Sequence, residues 1–278
     1  MPIVGTFITA HAPGITGYPE AAGESERNNT FAALEELGRR VKELKPDLIV
    51  GISNDHFTAF FDPMPAFCIG LGPRFHGPNP DFERIMGLPC EEYAGHPDYA
   101  MALLNKAYDS GFDPAFSRAE IMFEDQFPIP LHFLDPGREI PIVPIYVNCM
   151  LEPLPSLSRC FEMGQVIKDV ADERPERILL LASGGLSHWV GTLEEGQINA
   201  EFESKVLDAL KAGKPEGLLG LTNAEIDAAG NGAHEIRNWL MAFAASAKGG
   251  RLEVLAHEPV PQWQTGIVMG AISVEDIS

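Results

Sequence analysis

The run RILLLAS, residues 177–183, is apolar from Ile178 to Ala182, stops at a serine and two glycines, and continues as GLSHW into a histidine and a tryptophan. An uninterrupted branched run bounded by turn residues reads as a strand buried on both faces, the form strands take in a parallel sheet covered by helices. Two other stretches repeat the pattern. IVGTF (3–7) leads into ITAHAP (8–13), and DLIVGIS (47–53) breaks into NDHF (54–57). In each case a strand is followed within a few residues by a histidine: His11, His56 and His188.

The segments between these runs carry helical spacing. Phe31, Leu34, Leu37, Val41 and Leu44 predict a helix over about 24–44, halted by Pro46, and further helices are expected near 98–109, 157–173 and 197–211. Thr222 and Glu225 have capping-box spacing and open another, and one more begins near Gly232. PIVPIYV (141–147) reads as a strand and PAFCIGLG (65–72) as an added one, while LEVLAHEPV (252–260) and TGIVMGAISV (265–274) can pair late in the chain. Pro73 to Pro89 reads as a long irregular loop, of the kind that covers a site or stays mobile. Alternation of short strands with helices is the sequence form of a layered α/β domain. With no repeat and no linker in sight, one domain over 1–278 is expected.

Composition narrows the function. The 278 residues are 45% hydrophobic and 22% charged, as in a globular protein, and 20 basic against 40 acidic residues leave a formal charge of -20. Such a surplus of negative charge opposes nucleic-acid binding. Nor does it attract anionic substrates, so binding one would require a local arginine or a metal. Four scattered cysteines without a C-x-x-C pair read as reduced thiols. MPIVGTFITAHAPGI has no basic leader and no stretch reaches the ~20 apolar residues of a membrane span, so a cytoplasmic protein without membrane contact is expected.

A lone histidine after a strand is more often a satisfied loop residue than a ligand. Three of them beyond three strands are different, because in an open α/β sheet the carboxyl ends of parallel strands share one crevice. Small and turn-forming neighbours surround each one, Ala10, Ala12 and Pro13, Asn54 and Asp55, Gly184 and Gly185, which lets backbone approach a ligand. GNGAHEIRNW (230–239) adds a carboxylate, Glu235, at the start of a helix, where it also suits the helix dipole. A zincin is excluded because Asn238 stands where H-E-x-x-H needs its second histidine. Two imidazoles and a carboxylate on one face of a metal leave open positions opposite. His11, His56 and Glu235 would fill that set, with His188 free for acid–base work. Spacing alone does not fix this division.

Taken together, ITAHAP, SNDHF, SGGLSHW and GNGAHEIRNW, in that order along nearly the whole chain, resemble the class III extradiol ring-cleavage dioxygenases, among them the catalytic β subunit of protocatechuate 4,5-dioxygenase. The resemblance implies a three-layer α/β/α sandwich with a mixed, mostly parallel central sheet. It implies Fe(II) held by His11, His56 and Glu235, with His188 as the acid–base and Asn54 contacting substrate or orienting a ligand. The reaction implied is opening of a catechol-type ring beside its diol by O₂, giving a semialdehyde. The partners implied are a small aromatic substrate and O₂, with a homodimer or a small α-type subunit closing the site.

EDQFPIPLHF (124–133) departs from the family pattern, with Gln126 where many members carry a histidine after the aspartate. Glutamine donates no proton at neutral pH but can hydrogen-bond a substrate. His132 is a stand-in, although a buried loop histidine is the plainer reading. His76, His96 and His257 are expected to be structural or exposed, and His234 points to another side of its helix than Glu235. Trp189 and Trp263 wall the pocket or pack in the core. Three alternatives stay open: the same site acting on an aminophenol or hydroxypyridone, a zinc hydrolase on the same ligands, and a binding protein that has lost turnover.

Overall fold

The apolar runs pair as a sheet whose centre is parallel. A computed structural model describes residues 2–61, 63–247 and 249–273. Along these residues the strands are β1 (Ile3–Thr9), β2 (Leu48–Ser53), β3 (Phe67–Gly70), β4 (Arg74–Gly77), β5 (Glu91–Ala94), β6 (Ala115–Ser117), β7 (Ile142–Val147), β8 (Ile178–Ser183), β9 (Arg251–Val260) and β10 (Thr265–Ser273). The main sheet has eight strands in the order β6-β3-β7-β2-β8-β1-β10-β9. β7, β2, β8 and β1 run parallel, as do β3 and β6, while β3–β7, β1–β10 and β10–β9 are antiparallel.

Strand alternation divides the core into two layers. Leu48, Val50, Ile52, Ile178, Leu180 and Ala182 pack with Leu103, Met163, Leu207 and Leu240 of helices Pro97–Asp109, Leu157–Glu173, Ala200–Lys211 and Ile236–Ala245. Ile49, Leu179 and Leu181 face the other way, onto Leu34, Leu37 and Val41 of helix Glu24–Leu44. The sheet is therefore covered on both faces, and β2 and β8 are buried at every position. Leu180 is fully buried, and cutting it to alanine would cost about 2–5 kcal/mol.

Local chemistry sets the boundaries. Helix Glu24–Leu44 ends where Lys45 turns left-handed just before Pro46, and Thr222 and Glu225 form the expected capping box. The helix expected from 197 begins at Ala200 because the Asn199 side chain caps it, accepting from the Phe202 N–H. The stretch from Pro73 to Pro89 is not an irregular loop. β4 pairs antiparallel with β5 and short helical turns fill the connection. Helix Pro128–Leu134, which the sequence reading lacked, starts with Pro128 in its first turn, where the missing N–H costs nothing. Among the described residues, no helix is long and apolar enough to cross a membrane.

Because β1, β2 and β8 are parallel, their carboxyl ends lie on one rim. The segments carrying His11, His56 and His188 all leave from it.

Candidate metal centre and active-site cavity

His11 follows β1 by two residues. Its Nδ1 lies 2.8 Å from the hydroxyl of Ser183, the last residue of β8, which leaves Nε2 facing Glu235 Oε1 at 3.6 Å. His56 lies beyond β2, with Nε2 3.3 Å from the same carboxylate oxygen. Glu235 ends a 3-10 turn, Asn231–Glu235, that leads into helix Ile236–Ala245. Its other oxygen, Oε2, accepts the Gly185 N–H at 2.5 Å, so Oε1 is the one left for the imidazoles. Gly184 permits this approach, since a Cβ there would come within 2.9 Å of the Glu235 Cβ.

These three side chains present ligand atoms all within 4.8 Å of one another. Two imidazole nitrogens aimed at one carboxylate oxygen, with the opposite side open to a cavity, form a donor set that fits a divalent transition metal. Behind His56 stand two more carboxylates. Its Nδ1 is 3.0 Å from Asp125 Oδ1 and 3.6 Å from Glu124 Oε2, and its backbone N–H donates to Glu124 at 2.9 Å. A carboxylate behind a ligating histidine orients the ring and raises its basicity.

His188 completes the group. Its Nδ1 lies 3.1 Å from the Leu186 carbonyl and its Nε2 3.8 Å from Glu235 Oε2. Two glycines make room for it: a Cβ on Gly230 would sit 1.9 Å from the His188 carbonyl oxygen, and one on Gly232 would sit 2.0 Å from its Nε2. Gly230 also has φ +115°, a conformation that side chains resist. Asn231, between them, grips the Val190 backbone through both its amide oxygen and its amide nitrogen. The phrase GNG is thus the mould around the His188 loop.

Burial and charge set the protonation states. Burial holds His188 below the usual imidazole range, with Glu235 opposing only in part. Burial would also lower His56, but the Asp125 and Glu235 carboxylates carry it well above that range. Burial opposes ionisation of Glu235, yet the His11 and His188 imidazoles pull its carboxyl well below the usual carboxylate range. Asp125 is likewise lowered by His56 and His11 against the effect of burial, whereas burial raises Glu124.

The cavity holds about 570 Å³ and is lined by His11, His56, His188, Glu235 and Asp125 together with apolar side chains that include Trp263. The four residues singled out for chemistry therefore meet at one place. Asn54 lies behind the wall, with Nδ2 3.0 Å from His56 Nε2 and Oδ1 accepting from Asn238. Gln126 is also off the wall: it is fully buried, and its Oε1 accepts the Glu124 N–H, bracing the turn that presents Asp125. Asp125, Glu124 and Ser183 are contacts that the sequence reading passed over. Glu124 and Asp125 stand in the phrase EDQF, whose letters carry no sign of their contact with His56.

The remaining histidines lie elsewhere. His234 is held by Asp227 and Arg237, and His257 by Glu203. His96 caps helix Pro97–Asp109, His76 is in β4, and His132 is exposed on helix Pro128–Leu134 rather than buried in a loop. Trp189 is half-buried beside Gly230.

Residues 5–268 match the family model described as the catalytic LigB subunit of aromatic ring-opening dioxygenase. The chain belongs to the LigB family. As a member it is a ring-cleavage dioxygenase of the extradiol type. A 2,3-dihydroxyphenylpropionate/2,3-dihydroxicinnamic acid 1,2-dioxygenase of Photorhabdus laumondii is 28% identical, with 95% of each chain covered. Its counterpart in Klebsiella pneumoniae is 28% identical over 92% of this chain and 94% of its own. The likeness drawn from the motifs stands at the level of the family, since these relatives are not protocatechuate enzymes. In fold, the chain is similar to the crystal structure of the uncharacterized protein JW3007 from Escherichia coli K12, with a TM-score of 0.67, 16% identity, and 97% and 99% of the two chains covered.

Proposed function

We propose that the protein is an Fe(II)-dependent dioxygenase that opens a catechol-type ring beside its diol, placing both atoms of O₂ in a semialdehyde product. The observation that carries this reading is the convergence of His11, His56 and Glu235 on one donor set, with the Nε2 of His188 turned to the same cavity. His11, His56 and Glu235 would hold the metal. When bound, Fe(II) would supply Lewis acidity toward the substrate oxygens and electrons for the reduction of O₂ at its open positions.

The chain's own groups handle protons and position. A backbone carbonyl only accepts hydrogen bonds, so Leu186 fixes the His188 proton on Nδ1 and leaves Nε2 bare. His188, held below the usual imidazole range by burial, is neutral near pH 7 and can take a ring hydroxyl proton at Nε2 and later return it. Asp125 and Glu124 hold the His56 ring in place, and Ser183 holds that of His11. The Gly185 N–H fixes the rotation of the Glu235 carboxylate.

Oxygen uptake by protein loaded anaerobically with Fe(II) tests the reading, using a panel of catechols, aminophenols and hydroxypyridones. Uptake with catechols, a ring-opened product carrying both atoms of labelled O₂, and no activity with Zn(II), which has no redox chemistry, are expected. Uptake with aminophenols alone would move the substrate class, and O₂-independent turnover with Zn(II) would favour a hydrolase.

A further inference from the structure

We infer that the cavity selects a catechol whose ring substituent is uncharged and apolar, and that it discriminates against a carboxylate at that position. The inference rests on the catechol reading of the site and adds the class of substituent. Much of its wall is apolar, from Pro13, Phe57, Met150, Leu151, Val190 and Trp263, and the polar liners outside the metal set, Asn231, Gln264 and Thr265, are uncharged. Leu151 and Val190 are each 45% exposed while lining the cavity, so they bring apolar surface to its mouth beside the neutral amides of Asn231 and Gln264.

The ionisable groups that face the space are Glu235, Asp125 and the three imidazoles, of which only the two carboxylates stay charged beside a bound metal. Among the described residues that line it, none is lysine or arginine. The two positive charges of a divalent ion would be offset by these two carboxylates, leaving no surplus for a substituent. A carboxylate brought against this wall would lose its hydration without gaining a cationic partner. The surrounding field does not help, since the chain carries a formal charge of -20. The volume of about 570 Å³ exceeds what a bare dihydroxybenzene fills, so the wall has surface to offer an alkyl or ester group. The relatives named above act on a phenylpropionate, so this inference separates the present chain from them.

The test compares catechol with three 3-substituted ligands of similar length on the anaerobic Fe(II)-loaded protein: 3-propylcatechol, 3-(2-carboxyethyl)catechol and the methyl ester of the latter. Calorimetry gives the affinities without turnover. The propyl and ester compounds are expected to bind at least tenfold more tightly than the acid, and affinity is expected to rise about fourfold per methylene from catechol to propylcatechol. Val190→Arg, at the exposed mouth, is expected to tighten binding of the acid at least threefold. An acid that binds the wild type as tightly as its ester overturns the inference, and so does a folded Val190→Arg variant with no gain for the acid. Oxygen uptake is then read in the same mixtures. Selective binding without uptake removes the proposed reaction and leaves the selectivity standing.

Discussion

His188 Nδ1 lies 3.1 Å from the carbonyl oxygen of Leu186, two residues earlier in the chain. This contact assigns the tautomer and aims the bare Nε2 at the cavity, the property a proton shuttle needs. His188→Asn removes the shuttle without touching the three donors. A fall in kcat of about 10²–10⁴ is expected, with iron content unchanged. Metal analysis beside oxygen uptake checks it, and a variant that loses iron and activity together would make His188 a ligand instead.

Glu203 holds the same loop from behind. It is 1% exposed, and its Oε1 receives the Ser187 hydroxyl at 2.6 Å and the Ser187 N–H at 3.2 Å, while Oε2 meets His257 at 2.7 Å. Gly266 leaves the room, since a Cβ there would lie 1.8 Å from that carboxylate. Glu203→Ala strands two buried donors, and a loss of about 1–3 kcal/mol in urea unfolding is expected. Because Ser187 precedes His188, kcat should fall while iron content holds. Normal kcat in the variant would show that the loop is positioned without Glu203.

Gly232→Ala would place a Cβ 2.0 Å from His188 Nε2, closer than any real contact, so the imidazole must move. Activity is expected to fall as far as in His188→Asn, with Fe(II) binding retained. Crystallography of the variant would show the displaced ring, and an unmoved ring with full activity would contradict the account.

The alkaline limit of the fold follows from its buried tyrosines and thiols. Burial raises Tyr93 to about 12 and lifts Tyr99 and Tyr146 above the ordinary phenol range, while Cys68 and Cys160 are pushed up to about 12. Raised acids keep their protons in the fold and lose them in the unfolded chain. Their contribution is therefore complete below about pH 9–10, the range of the free groups, and is lost as pH rises toward 12. Tyrosinate absorbance from these residues should appear together with loss of circular dichroism. Ionisation with the fold intact would contradict the burial argument.

The central sheet was legible because β2 and β8 are buried on both faces, which writes an unbroken apolar run into the chain. β6 was not, since two of its three residues are exposed and leave no pattern. Helix Pro128–Leu134 was hidden by prolines that read as breaks, although the first lies where a helix tolerates one. In the site, the residues that follow strand ends announced themselves through the shared rim of parallel strands. Asp125 and Glu124 sit on the connection between β6 and that helix, where no period marks them, and only the fold brings them to His56. The glycines of GNG were visible as letters, but their purpose is steric and appears only with the His188 ring in place.

Iron content, measured after anaerobic loading and gel filtration, addresses the donor set directly. The account predicts one Fe(II) per chain in the wild type and in His188→Asn, and essentially none in His11→Ala, His56→Ala and Glu235→Ala when each is folded. Full iron retention in Glu235→Ala, or loss of iron in His188→Asn alone, would contradict it.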